Sequence, residues 1–123
     1  MVFVETAPSG TFVAWGEEKA RENSFVVKQG ESLTGMILQI KDSPKYGFIL
    51  EIKSKQHEDP LIVLGTMSLI SKMGFQKNEN GVAIPIKGKE HIKEEDVVRI
   101  TFLGMVPTKR GKQAYDFKVE VDK

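Results

Sequence analysis

Hydrophobic and polar positions alternate with a period of two over most of the second half of the chain. That is the side-chain period of a strand with one buried face and one wet face. Tyr115, Phe117, Val119 and Val121 alternate with Asp116, Lys118 and Glu120, and Val98, Ile100 and Phe102 alternate with Arg99 and Thr101. Gly104 follows the second of these runs and marks a bulge or bend. Phe48, Leu50 and Ile52 alternate with Ile49, Glu51 and Lys53, which predicts another half-buried strand. In residues 31–41, Met36, Leu38 and Ile40 fall on one face and Gly35, Ile37, Gln39 and Lys41 on the other. Taking the phase as constant leaves Ile37 and Ile49 as apolar groups on an outer face, where a base, the N-terminal segment or a second subunit would cover them. Leu61 to Leu64 form a short, wholly apolar strand.

One stretch breaks the pattern. In Met67–Gly74 the apolar residues Leu69, Ile70 and Met73 recur at helical spacing. Thr66 or Ser68 can cap its start and Gly74 can end it. A helix of about two turns is unstable alone, so it must plug an apolar opening. Asn78-Glu79-Asn80-Gly81 reads as a turn, and Val82–Ile86 as a short strand that Pro85 confines to an edge.

The order is thus three strands, a short helix and two strands. This is the element order of the five-stranded OB-fold barrel, an all-β class in which ligands bind on the face of strands 2 and 3, flanked by the 1–2 and 4–5 loops. The helix would close the bottom of the barrel. Another small barrel or an α+β sandwich would use the same strands. Residues 1–30 stand outside the five. Thr11–Trp15 and Ser24–Val27 can each be a strand, and the polar run Glu17–Glu22 between them a helical turn or an exposed loop. This N-terminal extension is expected to pack on the barrel of 31–123, because its aromatics need burial or a partner.

Length and composition agree with one folded domain over 1–123. Forty per cent of residues are hydrophobic and 28% charged, a globular mixture and not a disordered one. Absence of cysteine excludes disulfides and thiolate metal sites and suits a reducing compartment. With no apolar run of membrane-span or signal-peptide length, a cytoplasmic location is expected, host cytoplasm if the protein is viral. A net charge of +1 gives little support to nucleic-acid binding by itself, so the distribution of charge has to carry that reading.

Cations concentrate where an OB barrel binds. The 4–5 loop holds Lys109, Arg110 and Lys112, and the 1–2 loop holds Lys41 and Lys45 beside Tyr46. Lys53 and Lys55 project from the outer face of the second strand, although Glu51 dilutes their charge. Taken as one groove, these lysines and the arginine would neutralise phosphates, and Tyr46 would stack on a base. Trp15, and less so Phe25, are further stacking candidates, with core packing as the alternative. Phe48, Phe102, Tyr115 and Phe117 occupy core positions.

The segments Val63-Leu64-Gly65-Thr66, Val97–Gly104 and Gly111–Val119, with the short Leu-bearing helix, resemble the bacteriophage-type OB-fold single-stranded DNA-binding proteins over residues 31–123. The resemblance implies sequence-tolerant protection of single-stranded DNA in replication or recombination, with replication or recombination proteins as partners. Bacterial-type relatives carry an acidic C-terminal tail for recruitment. This sequence ends Val119-Glu120-Val121-Asp122-Lys123, so recruitment by that route is not expected.

Catalytic constellations are missing from the pattern. His57-Glu58-Asp59 and His91 with Glu94 and Glu95 are the histidine–carboxylate neighbourhoods, and neither has metal-site or triad spacing. No glycine-rich phosphate loop is present. The expectation is a non-enzymatic binder without cofactor, metal or membrane association. A homodimer is compatible with the open edge of such a barrel. A protein-interaction or structural OB module is the main alternative, and an RNA-binding OB domain the third reading.

Overall fold

The computed structural model describes residues 11–16, 24–109 and 111–122. The polar run Glu17–Glu22 and Arg110 therefore lie outside the described residues. The strands are β1 (Thr11–Trp15), β2 (Phe25–Val27), β3 (Ser32–Ser43), β4 (Gly47–Lys53), β5 (Leu61–Leu64), β6 (Phe75–Lys77), β7 (Ala83–Pro85), β8 (Val97–Pro107) and β9 (Gln113–Asp122), with helix α1 (Met67–Lys72) between β5 and β6. The main sheet has seven strands in the order β2-β1-β5-β4-β3-β8-β9 and is strongly curled into a half-barrel. The described residues are thus mostly β with one short helix. No described helix is long and apolar enough to cross a membrane.

The alternating runs land as their period requires. Phe48, Leu50 and Ile52 of β4, Val98, Ile100 and Phe102 of β8 and Phe117 of β9 all point into the core. Val119, Val121 and Tyr115 pack against its margin. In β8 the register against β9 shifts between Phe102 and Gly104, and Gly104 adopts a φ of 101°, which only glycine takes without strain. The expected bulge is there.

In β3 the constant-phase reading fails. Leu33, Gly35 and Ile37 are buried, whereas Met36, Leu38 and Gln39 are exposed. The β3–β4 register shifts between Ile37 and Gln39, so Leu38 is the extra residue of a β-bulge and every position beyond it changes face. Ile37 is fully buried and is a core residue, not an apolar group on the outer face. Its backbone turns instead to the residues before β8. Its N–H donates to Asp96 O at 2.9 Å and its carbonyl accepts from Glu95 N at 2.7 Å.

α1 forms where the helical spacing predicts. Thr66 is its cap, with the hydroxyl accepting from Leu69 N at 3.2 Å. Leu69, Ile70 and Met73 are buried against the sheet. The helix approaches the β3–β4 turn so closely that Gly47, at a φ of 85°, has no room for a side chain: a Cβ there would lie 2.5 Å from Ile70 Cδ1. Asn78–Gly81 is the turn of the β6–β7 hairpin, in which Pro85 pairs with Phe75 at the end of the ladder.

The N-terminal strands extend the sheet. β1 pairs in parallel with β5, Phe12 beside Ile62, and β2 pairs in parallel with β1. Trp15 is 7% exposed and sits edge-on to Phe117, ring centroids 4.8 Å apart. It therefore packs across the opening of the curl, between the β1 side and the β9 side. This packing role overrides the stacking role considered for Trp15, because a ring enclosed by Phe102 and Phe117 has no free face for a base.

A candidate nucleic-acid interface

Ladder partners on adjacent strands point to the same side of a sheet. Leu50, Ile52, Leu61 and Val63 face the core, so the intervening residues face outward. Two rows follow from the register. One runs Lys41, Ile49, Leu64; the other runs Gln39, Glu51, Ile62, Phe12. The outer face of β3, β4, β5 and β1 thus carries Ile49, Leu64, Ile62 and Phe12 with a single carboxylate, Glu51, among them; Ile62 is itself buried, so the accessible apolar surface is that of Ile49, Leu64 and Phe12. Ile49 and Leu64 are half-buried. Phe12 is 48% exposed, which makes it the aromatic ring presented on this face.

Phe12 was not among the residues the sequence singled out. The signal was available in the alternation of Thr11–Trp15, where Phe12 falls out of phase with Trp15 and Val13. Without knowledge that β1 pairs with β5, the pattern does not tell which of the two aromatics faces inward. Phe25, the other N-terminal aromatic considered, is half-buried and meets the His57 ring edge-on at 5.7 Å.

The cations bracket this face from its ends. Lys41 is exposed near the end of β3, and Lys45 lies on the tip of the β3–β4 turn with its ammonium 5.2 Å from the Tyr46 ring centroid. Tyr46 is partly exposed, and its N–H donates to Ser43 Oγ at 3.2 Å, which fixes the turn. Lys53 and Lys55, both exposed, finish β4 at the other end of the sheet. From that end β8 runs on past its last partner in β3, Thr101 opposite Ser32, to the β8–β9 tip. Lys109 and Lys112 are exposed on this tip, held by Thr108 N donating to Lys112 O at 2.7 Å.

The two tips therefore leave opposite ends of β3. Along β3 they stand at the two ends of the face and not side by side. Antiparallel pairing of β3 with β8 is the reason: the strand that leads out of the sheet toward Lys109 runs against the one that leads toward Lys45. What the fold offers is an apolar face with Lys41 and Lys45 at one end and Lys53, Lys55, Lys109 and Lys112 toward the other.

Neither histidine neighbourhood gathers into a site. Asp59 N donates to His57 Nδ1 at 3.2 Å within a tight turn, and His91 packs edge-on against Phe75 with Nδ1 2.9 Å from Ile92 O. Among the described residues, no three or more metal-ligating side chains come together. Glu120 lies on the outer face of β9, beside Arg99 of β8. The Arg99 guanidinium hydrogen-bonds it and, with Lys118, holds its carboxyl below the usual range. No protein-family model matches the chain, and neither a curated protein nor a solved structure shows significant similarity to it.

Proposed function

We propose that the protein is an OB-type barrel that binds single-stranded DNA without sequence preference, across the outer face of β4, β5 and β1. The barrel reading is supported by the order of the central strands. β5-β4-β3-β8-β9 is the arrangement in which the first strand of the barrel, here β3, pairs with both the second and the fourth, with the helix between third and fourth. Trp15 and β1 then serve as an added wall where the third and fifth strands of a closed barrel would meet.

The observation that carries the binding reading is the accessible apolar surface of Ile49, Leu64 and Phe12, seated around the buried Ile62 on an outward sheet face bracketed by lysines. Bases unstack into water at a cost, and an apolar surface with an exposed ring offers them a replacement for stacking; lysines at the ends take the phosphates. Phe12 and Tyr46 are the stacking groups, and Lys41, Lys45, Lys53, Lys55, Lys109 and Lys112 the phosphate contacts. Protection of single strands during replication or recombination, as in the bacteriophage-type family the sequence resembles, is the role this activity would serve.

The test is a titration of fluorescent oligo-dT at several salt concentrations. Neutralising about three to five phosphates gives a slope of log affinity against log salt of about −2 to −4. Failure to bind oligo-dT even at low salt removes the reading. A parallel titration with RNA of matching sequence separates DNA from RNA preference, since the sugar hydroxyl is the main difference. A protein-interaction module is the second reading, favoured by the exposed Leu103, Met105 and Val106 on the distal β8–β9 arm. It predicts no oligonucleotide binding and a stable protein partner.

A further inference from the structure

β9 is an edge strand, and the phase of its backbone can be worked out. Phe102 spends both main-chain groups on the β3 side: its carbonyl accepts from Gly30 N at 2.7 Å and its N–H donates to Glu31 O at 3.0 Å. In an antiparallel strand both groups of one residue point the same way and alternate along the chain. Ile100 and Val98 share the phase of Phe102, so their partners in β9 are not hydrogen-bonded to them. Those partners are Phe117, Val119 and Val121. The main-chain groups of these three residues therefore point away from β8, to the outer edge. Phe117 N–H is taken up locally by Asp116 Oδ1 at 3.0 Å. Among the described residues no strand lies beyond this edge, and an unpaired ladder of this kind is a template for another strand.

We infer that the outer edge of β9 is the seam of a two-fold homodimer, formed by antiparallel pairing of β9 with β9 of a second copy about Val119. Three features of this strand fit that occupant. First, pairing about Val119 sets Val119 against Val119 and Phe117 against Val121, and all of these present their main-chain groups to the edge; the central rung is a full hydrogen-bonded pair, and the flanking rungs become so when Phe117 N–H exchanges Asp116 Oδ1 for the facing Val121 carbonyl. Second, it sets Lys118 of each copy opposite Glu120 of the other, two opposite-charge pairs on the wet face of one isologous contact. Third, it carries Asp116 of the second copy past Val121 toward the C-terminal end of β9. A groove of about 730 Å³ opens there, lined by Lys72, Lys89 and Lys93 together with Glu90, Asp96 and Asp122. The groove gives the passing strand room at this end, and its lysines and carboxylates are evenly matched. A shift of register by one residue would lose the first two, because the edge-facing groups would meet groups that face inward and Lys118 would no longer stand opposite Glu120.

Sedimentation velocity from micromolar to millimolar protein tests the inference, with amide hydrogen exchange to locate the seam. The wild-type chain is expected to dimerise, with the Val119 and Val121 amides becoming protected as the dimer fills. Lys118→Glu places carboxylates opposite Glu120 at both symmetric positions and should weaken dimerisation about tenfold; adding Glu120→Lys should restore it. Val119→Pro removes the central donor of the seam without removing a bond from the β8–β9 ladder, and should give a monomer. If Val119→Pro unfolds, Lys118→Glu, a change on an exposed side chain, decides alone. A chain that stays monomeric throughout, or a dimer whose strength Lys118→Glu leaves unchanged and whose Val119 and Val121 amides stay unprotected, overturns the inference.

Discussion

Aromatic side chains in this protein divide by what surrounds them, and the division sets what each can do. Phe117 is fully buried, with Trp15, Phe102 and Tyr115 rings around it. Removing it leaves a cavity in close-packed surroundings, and Phe117→Ala should cost about 3–5 kcal/mol in chemical denaturation. Phe12 has no such enclosure. Phe12→Ala should shift stability by less than about 1 kcal/mol, since half its surface already meets water. The same substitution should weaken oligo-dT binding by about 1–3 kcal/mol if a base stacks there. Unchanged affinity in Phe12→Ala would remove this ring from the interface. A different residue-scale effect sits on the outer face of β8 and β9, where Arg99 Nη2 lies 3.1 Å from Glu120 Oε2. The arginine favours the ionised carboxylate, so the folded-state value lies below the unfolded one. Its contribution is complete above the unfolded value and is lost as pH falls through the folded one. Arg99→Gln should move the Glu120 carboxyl back toward the ordinary range in an NMR titration.

The strands show at the scale of elements why some of the fold could be read from residue spacing and some could not. β4, β8 and β9 keep one phase over the stretches that face the core, so simple alternation gives their inward residues: Phe48, Leu50, Ile52, Val98, Ile100, Phe102 and Phe117. The interruption in β8 carries its own marker, Gly104. The bulge in β3 carries none. Leu38 is an ordinary strand residue, and what makes it the extra one is the docking of residues 95 and 96 on Ile37, contacts more than fifty positions apart in the chain. A local pattern holds no trace of them. Parallel pairing of β1 with β5 is invisible for the same reason, and with it the outward ring of Phe12. The Lys-bearing tips were legible as loops, but their separation depends on which strands pair, not on the loops. The bulge makes a direct prediction. Ile37→Ala should cost about 2–5 kcal/mol as a buried truncation, while Ile49→Ala, on the half-buried outer face, should cost clearly less and reduce oligonucleotide binding instead. Equal losses of stability in the two variants would contradict the phase change.

Across the whole molecule, the separation of the two tips turns charge placement into a length requirement. Antiparallel pairing of β3 with β8 sends the Lys45 and Lys109 tips off opposite ends of β3, so on the proposed reading a bound strand would meet Lys41 and Lys45 at one end of the face and Lys53, Lys55, Lys109 and Lys112 toward the other. OB-type sites cover about 4–16 nucleotides. An oligonucleotide of about 4 nucleotides held on this face by Tyr46 and Phe12 would not extend to the distal tip; one of about 16 would. Replacing Lys109 and Lys112 by Ala should therefore leave the affinity of the short oligonucleotide nearly unchanged. It should weaken the long one and flatten its salt slope by about 1. Replacing Lys41 and Lys45 should weaken both. Anisotropy titrations with the two lengths at two salt concentrations separate these outcomes. An equal effect of the distal substitutions on short and long strands would mean that the tips converge after all; no effect on either would mean that the strand does not follow this face.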